Sequence, residues 1–141
     1  MNEHSIDSPP VQIRKLDRDR LEVAYGVASQ RLLPWPILNA PFEGAWCVLA
    51  PGDSSTAHAH HEHELFVAMT GRAELEVDGQ RHRFDAGDLA LLRPGSTHHV
   101  HNDGDSDFQW YAIWWDDESA HGYLGAAAAK TAVPQPEAVN S

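Results

Sequence analysis

Gly52-Asp-Ser-Ser-Thr-Ala-His58-Ala-His60-His-Glu-His-Glu64-Leu-Phe-Val-Ala-Met-Thr-Gly71 is the stretch from which the rest of the chain is read. His58 and His60 are two residues apart. In a β-strand side chains alternate between faces, so both imidazoles point the same way. Glu64 follows four residues later, beyond a short turn, and can return on the neighbouring strand to face the same point. Two imidazoles and a carboxylate directed at one spot outline a site for a first-row metal. Closing that site takes a fourth ligand.

A second stretch supplies one: Gly87-Asp-Leu-Ala-Leu-Leu-Arg-Pro-Gly95-Ser-Thr-His98-His-Val-His-Asn102. With both stretches in view, the chain resembles the cupin superfamily. Gly52, His58, His60, Glu64 and Gly71 fill every position of its first motif, G-x5-H-x-H-x3-E-x6-G. The second motif reads G-x5-P-x-G-x2-H-x3-N, and Gly87, Gly95, His98 and Asn102 match it. Arg93 stands where that motif has proline, and Pro94 follows; Arg-Pro-Gly still suits a tight turn. The resemblance covers residues 45 to 116. It implies an all-β fold, a double-stranded β-helix (the cupin jelly-roll barrel), with a metal inside its mouth. It implies His58, His60, Glu64 and His98 as the ligands, and a homodimer as the assembly.

The composition narrows the class. At 141 residues the chain has room for one domain and too few residues for two ordinary ones. A formal net charge of −11 argues against nucleic acid and acidic membrane surfaces as partners. No apolar run is long enough to span a bilayer. Met1 to Asp7 has neither a basic start nor an apolar core, so no secretory signal is visible. Cys47 is the single cysteine, which excludes an internal disulfide. A soluble, cytoplasmic protein is expected.

Taken in order, residues 1–10 end in Pro9-Pro10 and read as a flexible lead-in. The single domain is expected over 11–118. Val11 to Leu16 and Leu21 to Val27 read as short strands, with Asp17 to Arg20 as the turn between them. Pro34-Trp35-Pro36 argues against a central strand over Gln30 to Leu33, and Ile37 to Gly44 reads as loop. Trp46 to Ala50 is a buried-strand candidate. The clearest local signal is the alternation of Arg72 to Val77 before Asp78-Gly79, the preferred pair for a two-residue type I′ hairpin. That turn sets Val77 opposite Gln80, Glu76 opposite Arg81, Leu75 opposite His82, Glu74 opposite Arg83 and Ala73 opposite Phe84. Leu89 to Leu92, Thr97 to Asn102 and Phe108 to Trp115 complete the strands. From Ser119 the chain reads as a flexible tail over 119–141, with a helical scrap at Ala126 to Ala129. Many short strands with closely spaced turns, and no long amphipathic helix, argue independently for an all-β barrel.

Other histidines and aromatics are weighed against plainer roles. His61, His63, His99 and His101 read as surface or rim residues, with proton transfer at the barrel mouth as the functional alternative. Cys47 reads as a small buried apolar residue. Trp110, Tyr111, Trp114 and Trp115 alternate faces, so half belong to the core and half to a pocket wall or dimer interface. Tyr111, His82 and Glu62 are the candidates for a catalytic acid or base.

Rival motifs fail. Leu65 occupies the second-histidine place of a zinc-protease pattern, and no basic residue follows Arg93 to serve a 2-oxoglutarate oxygenase except Lys130 in the tail. A narrower likeness rests on Gln30 to Trp35, Ala45-Trp-Cys47, Ser55 to Glu64 and Ile113 to Asp116. These segments are similar to the zinc cupin half of hydrazine synthetases, in which a methionyl-tRNA-synthetase-like half supplies the ester that rearranges to an N–N bond. That likeness favours zinc, with iron, manganese or nickel as alternatives, and implies a separate aminoacyl-tRNA-synthetase-like partner. The family also includes dioxygenases and non-catalytic ligand-binding or sensing proteins, so fold and motif leave the small-molecule substrate or ligand open.

Overall fold

In the computed structural model, residues 10–38, 40–122 and 125 are described. The Asp78-Gly79 turn forms as its residues dictate, with φ of +49° and +85°, and joins β5 (Arg72–Val77) to β6 (Gln80–Asp85). The register is the expected one, from Val77 opposite Gln80 to Ala73 opposite Phe84. Charge pairing differs in detail. Arg81 reaches both Glu76 and Glu74, at 3.4 and 3.0 Å, while Arg83 turns away from Glu74 to Asp85 and Asp103. A guanidinium takes two carboxylates at once when its fork allows it, so the strictly opposite partner is not always the one used.

Two sheets face each other. The larger runs β1 (Glu22–Ala24), β2 (Val27–Arg31), β3 (Glu43–Leu49), β9 (Phe108–Trp115), β4 (His63–Thr70) and β7 (Leu89–Leu92). The smaller runs β6, β5 and β8 (His98–His101). Every pairing is antiparallel. The inner faces meet in one core built on Leu49, Phe66, Phe84, Val100, Phe108 and Trp110. Gly71 lets the chain pass from β4 into β5: its φ is +91°, and a Cβ there would lie 2.7 Å from the Asp107 carbonyl oxygen. This is the all-β double-stranded β-helix expected of the sequence.

The N-terminal third departs from the expectation. Val11 to Leu16 form no strand. Instead Arg14 donates to the carbonyls of Leu32 and Pro34 and lies over the Trp35 ring. The Pro34-Trp35-Pro36 segment offers few N–H groups for a ladder, so the approaching chain is held by side chains. Leu21 to Val27 is not one strand: it holds β1, the hairpin turn at Tyr25-Gly26 and the first residue of β2, with Tyr25 and Gly26 both at positive φ, +53° and +74°. Gln30 and Arg31 do belong to a strand, inside the sheet, and Glu43-Gly44 join β3. Residues 117–122 are helical. The lead-in at 1–9 and the segment Ala126 to Ala129 lie outside the described residues. Among the described residues, no helix is long and apolar enough to cross a membrane.

Asn102, the last position of the second motif, is structural. Its Nδ2 donates to the carbonyls of Leu49 and Ser106, and its Oδ1 accepts from Gly104 N–H, all at 2.9 Å. It is only 2% exposed, so water cannot replace these bonds. Asn102→Ala should lower unfolding stability by about 1–3 kcal/mol, the usual cost of orphaned buried polar groups. A urea titration should show a lower midpoint with an unchanged slope, and metal uptake per folded chain should not change.

Candidate metal centre

Short pieces of backbone position the four side chains. His58 lies in an extended segment that makes a single antiparallel bridge to His98, with N–H to carbonyl distances of 3.2 and 3.0 Å in the two directions. That segment is not a full strand, yet extended chain with two-residue spacing delivers His58 and His60 to one side, as strand alternation would. Gly95 N–H donates to the His60 carbonyl at 2.8 Å, which ties the ligand segment to the Arg93-Pro94-Gly95 turn. The chain bends at His61-Glu62, β4 begins at His63, and Glu64 is its second residue. His98 opens β8.

One donor atom from each of His58, His60, Glu64 and His98 lies within 4.8 Å of the others. Glu64 and His98 are buried, and the other two are half-buried. The imidazole orientations follow from their outer contacts. Nδ1 of His58 faces the Thr56 carbonyl at 3.1 Å, Nδ1 of His60 the Glu62 carbonyl at 3.1 Å, and Nδ1 of His98 the Ser96 carbonyl at 3.3 Å. A carbonyl only accepts, so each Nδ1 carries the hydrogen and each neutral ring presents the Nε2 lone pair to the interior.

Those lone pairs meet a carboxylate. Nε2 of His60 is 3.0 Å, and Nε2 of His98 3.1 Å, from the same atom, Glu64 Oε1. His98 Nε2 is buried and makes no hydrogen bond, because at that distance it is out of line with Oε1. The His60 contact has hydrogen-bond geometry; with the hydrogens on Nδ1, both nitrogens are acceptors that repel the oxygen unless a proton or a metal cation lies between them. A single divalent cation satisfies both contacts at once, using nitrogen and oxygen donors that zinc, iron, nickel and manganese all take. The donor set therefore fits a divalent metal.

The cluster opens through His60 and Glu64 into a cavity of about 340 Å³. Phe66, Trp110 and Trp114 form an apolar wall, and Arg31, Ser29 and Glu62 are the polar groups facing it. Tyr25, at the β1–β2 turn, stacks on His58 with ring centroids 4.6 Å apart. Its carbonyl accepts from Thr56 N–H at 2.7 Å, so the hairpin is pinned against the ligand segment. Tyr25 and Arg31 were not among the sequence candidates. The signal for Tyr25 was the Tyr-Gly pair, a weaker turn signature than Asp-Gly.

The proposed acids and bases separate. Glu62 is at the cavity, with its Oε1 3.5 Å from His60 Nδ1. His82 is not brought to the site: it is exposed on β6 and lies beside β7, in a depression lined by Leu75, Leu89 and Leu91. Tyr111 is not brought there either. On β9 it points away from the face that carries Trp110, Ala112 and Trp114 into the cavity. Burial, and then the Glu43 charge, hold its hydroxyl above the usual phenol range, which makes it a poor base. Cys47 lines the cavity, but burial and the Glu64 charge push its thiol up to about 12. His63 Nε2 donates to Asp117 Oδ1 at 2.6 Å and its ring stacks on Trp115, and His61 is exposed. His99 and His101 face outward from β8 toward Glu76, and His101 first, then His99, holds the Glu76 carboxyl below the usual carboxylate range.

A family model described as a cupin domain matches residues 45–114. The solved structure of a Cupin 2 conserved barrel domain protein from Salinispora arenicola is 52% identical, with a TM-score of 0.76, over 84% of this chain and 99% of that one. A protein from Photorhabdus luminescens is 40% identical, with a TM-score of 0.73, over 82% and 96% of the two chains. A predicted oxalate decarboxylase from Thermotoga maritima is 25% identical, with a TM-score of 0.58, over 63% and 79%.

Glu64→Gln removes the anion that draws a cation into the cluster. Its affinity for metal should fall by more than the roughly 10–100-fold that an outer-shell partner is worth. Mass-spectrometric metal content that matches the unaltered protein would contradict this ligand assignment. Native Cys47 should react with iodoacetamide at pH 8 at least about tenfold more slowly than in denaturant, since the thiolate is the reactive form.

Proposed function

The chain belongs to the cupin family, and on that premise we propose that it is a metal-dependent enzyme acting on a small, polar, acidic metabolite. The observation that carries this reading is the meeting of Nε2 of His60 and His98 on one oxygen of Glu64, next to a cavity. His58, His60, Glu64 and His98 would hold the metal. Neutral imidazoles and one carboxylate leave a divalent ion a net charge near plus one. When bound, that ion supplies Lewis-acid polarisation and a template for a bidentate ligand.

The chain's own residues support an acidic substrate. Among the described residues that line the cavity, Arg31 is the one arginine or lysine. It is held from behind by Glu43, at 3.7 Å, and by the Trp114 ring, at 5.1 Å from its guanidinium carbon. A guanidinium steadied on two sides loses little freedom when it takes a carboxylate or similar anion. The neighbour named as a predicted oxalate decarboxylase is in keeping with a small acid. Glu62, whose Oε1 lies 3.5 Å from His60 Nδ1, is a proton acceptor beside the cluster. Phe66, Trp110 and Trp114 keep water from that side of the cavity, which strengthens every charge interaction within it.

Metal identity divides the finer readings. Zinc goes with Lewis-acid chemistry, of which N–N bond formation beside a separate synthetase-like partner is one form. Iron goes with dioxygen chemistry. A centre that binds acids without turning them over is a ligand-binding module.

Tag-free protein purified without added metal should carry at least one equivalent, within error, of zinc or another first-row metal by mass spectrometry. No metal, with none taken up on titration, would sink the proposal. Small carboxylic acids should raise the melting temperature of the metal-loaded protein. In Arg31→Gln their affinity should fall by about tenfold or more, the worth of a charge-assisted hydrogen bond, with metal content unchanged. Acids that bind both proteins equally would place their anchor elsewhere.

A further inference from the structure

We infer that Glu76, His99 and His101 form a second divalent-metal site, on the outer face of the three-stranded sheet. It is independent of the cluster inside the barrel. In β8 the buried residues are His98 and Val100, while His99 and His101 alternate with them and face out. β5 pairs with β8 so that Glu76 lies directly opposite His99 and Glu74 opposite His101. A strand carrying His-x-His beside a strand carrying a carboxylate presents all three groups on one face. Neighbouring residues His98 and His99 therefore serve two sites, back to back across the same strand.

The distances support a shared ion. Nε2 of His99 and Nε2 of His101 are 3.2 and 2.9 Å from one atom, Glu76 Oε1, the second contact being a hydrogen bond that a bound ion would replace. The two rings stand edge to face with centroids 4.3 Å apart, and one donor atom from each of the three residues lies within 4.8 Å of the other two. Two histidines and one carboxylate are enough to hold zinc or a similar ion while leaving positions for water.

The surroundings are built for it. Ser54 bridges to His101 on the backbone, and its Oγ lies 2.7 Å from His101 Nδ1. A hydroxyl can donate or accept, so it can hold the tautomer that frees Nε2 for a metal, as outer partners of metal-bound histidines do. Side-chain exposures of 20% for His99, 15% for His101 and 24% for Glu76 leave the group open to ions from solvent. The competing cation is Arg81, with Nε 3.4 Å from Glu76 Oε1. Arg81 also holds Glu74 at 3.0 Å, so it keeps a partner when an ion takes Glu76.

The test is a zinc titration of chelator-stripped, tag-free, full-length protein, read by equilibrium dialysis and mass spectrometry. Two equivalents per chain are expected. The double variant His99→Gln/His101→Gln and, separately, Glu76→Gln should each lose one equivalent and keep the other. Ser54→Ala should weaken the outer equivalent by about tenfold. Glu64→Gln should weaken the barrel equivalent and leave the outer one in place, so failure of the barrel reading and failure of this one give different patterns. Melting curves should show each variant folded before its metal is counted. A single equivalent in the unaltered protein would overturn the outer site. So would a second equivalent that survives both outer-face variants, or one that is lost instead on replacing His61 and His63.

Discussion

The barrel is organised around an electrostatic conflict. Main-chain carbonyls hold the hydrogen of His58, His60 and His98 on Nδ1, so their Nε2 lone pairs turn inward. Two of those nitrogens then lie 3.0 and 3.1 Å from a buried carboxylate oxygen. Such an arrangement costs free energy unless a cation offsets it, because a buried charge needs a partner. Much of the surrounding structure keeps these groups from moving apart. The His58–His98 bridge, the Gly95 contact to the His60 carbonyl and the contact from Thr56 to Tyr25 each fix one segment that carries or covers a ligand.

Holding the ligands is a problem of two sheets. Glu64 comes from the larger sheet and His98 from the smaller, so the distance between them depends on how the sheets close. Closure rests on aromatic and aliphatic packing, with Phe108 completely buried against Phe84 and Trp110. It also rests on Gly71, where a side chain would meet the Asp107 backbone, and on Asn102, whose amide knits the Leu49, Gly104 and Ser106 backbone together. Motif positions that bind nothing thus serve the closure of the sheets that carry the ligands.

The same alternation that aims His98 inward leaves His99 and His101 outside. Strand geometry makes such a pairing of inner and outer chemistry available wherever a histidine run crosses a sheet. The two clusters differ in surroundings. The inner one has two buried and two half-buried members, opens to a cavity and shares it with Arg31. The outer one is half-exposed, and an arginine sits beside its carboxylate.

Much was legible in the residues themselves. Asp78-Gly79 and the alternation beside it determined a hairpin and its register, because a type I′ turn admits few sequences and period two admits one inward face. Spacing brought His58, His60 and Glu64 to one point, because extended backbone and a short turn leave little freedom over such separations; the resemblance to the cupin motifs added His98. Tertiary structure decided the rest. Alternation showed that Trp110 and Tyr111 face opposite ways, but only the packing of β9 between β3 and β4 decided that Trp110 faces in. His82 has the expected register opposite Leu75, yet β6 is an outer strand of its sheet, and His82 stays exposed beside β7 rather than reaching the cavity. The β1–β2 turn, which brings Tyr25 over His58, carries a weak local signal and takes its position from a contact with Thr56, far along the chain. Local rules state which side of a strand a residue occupies; what lies on that side depends on contacts between segments distant in sequence.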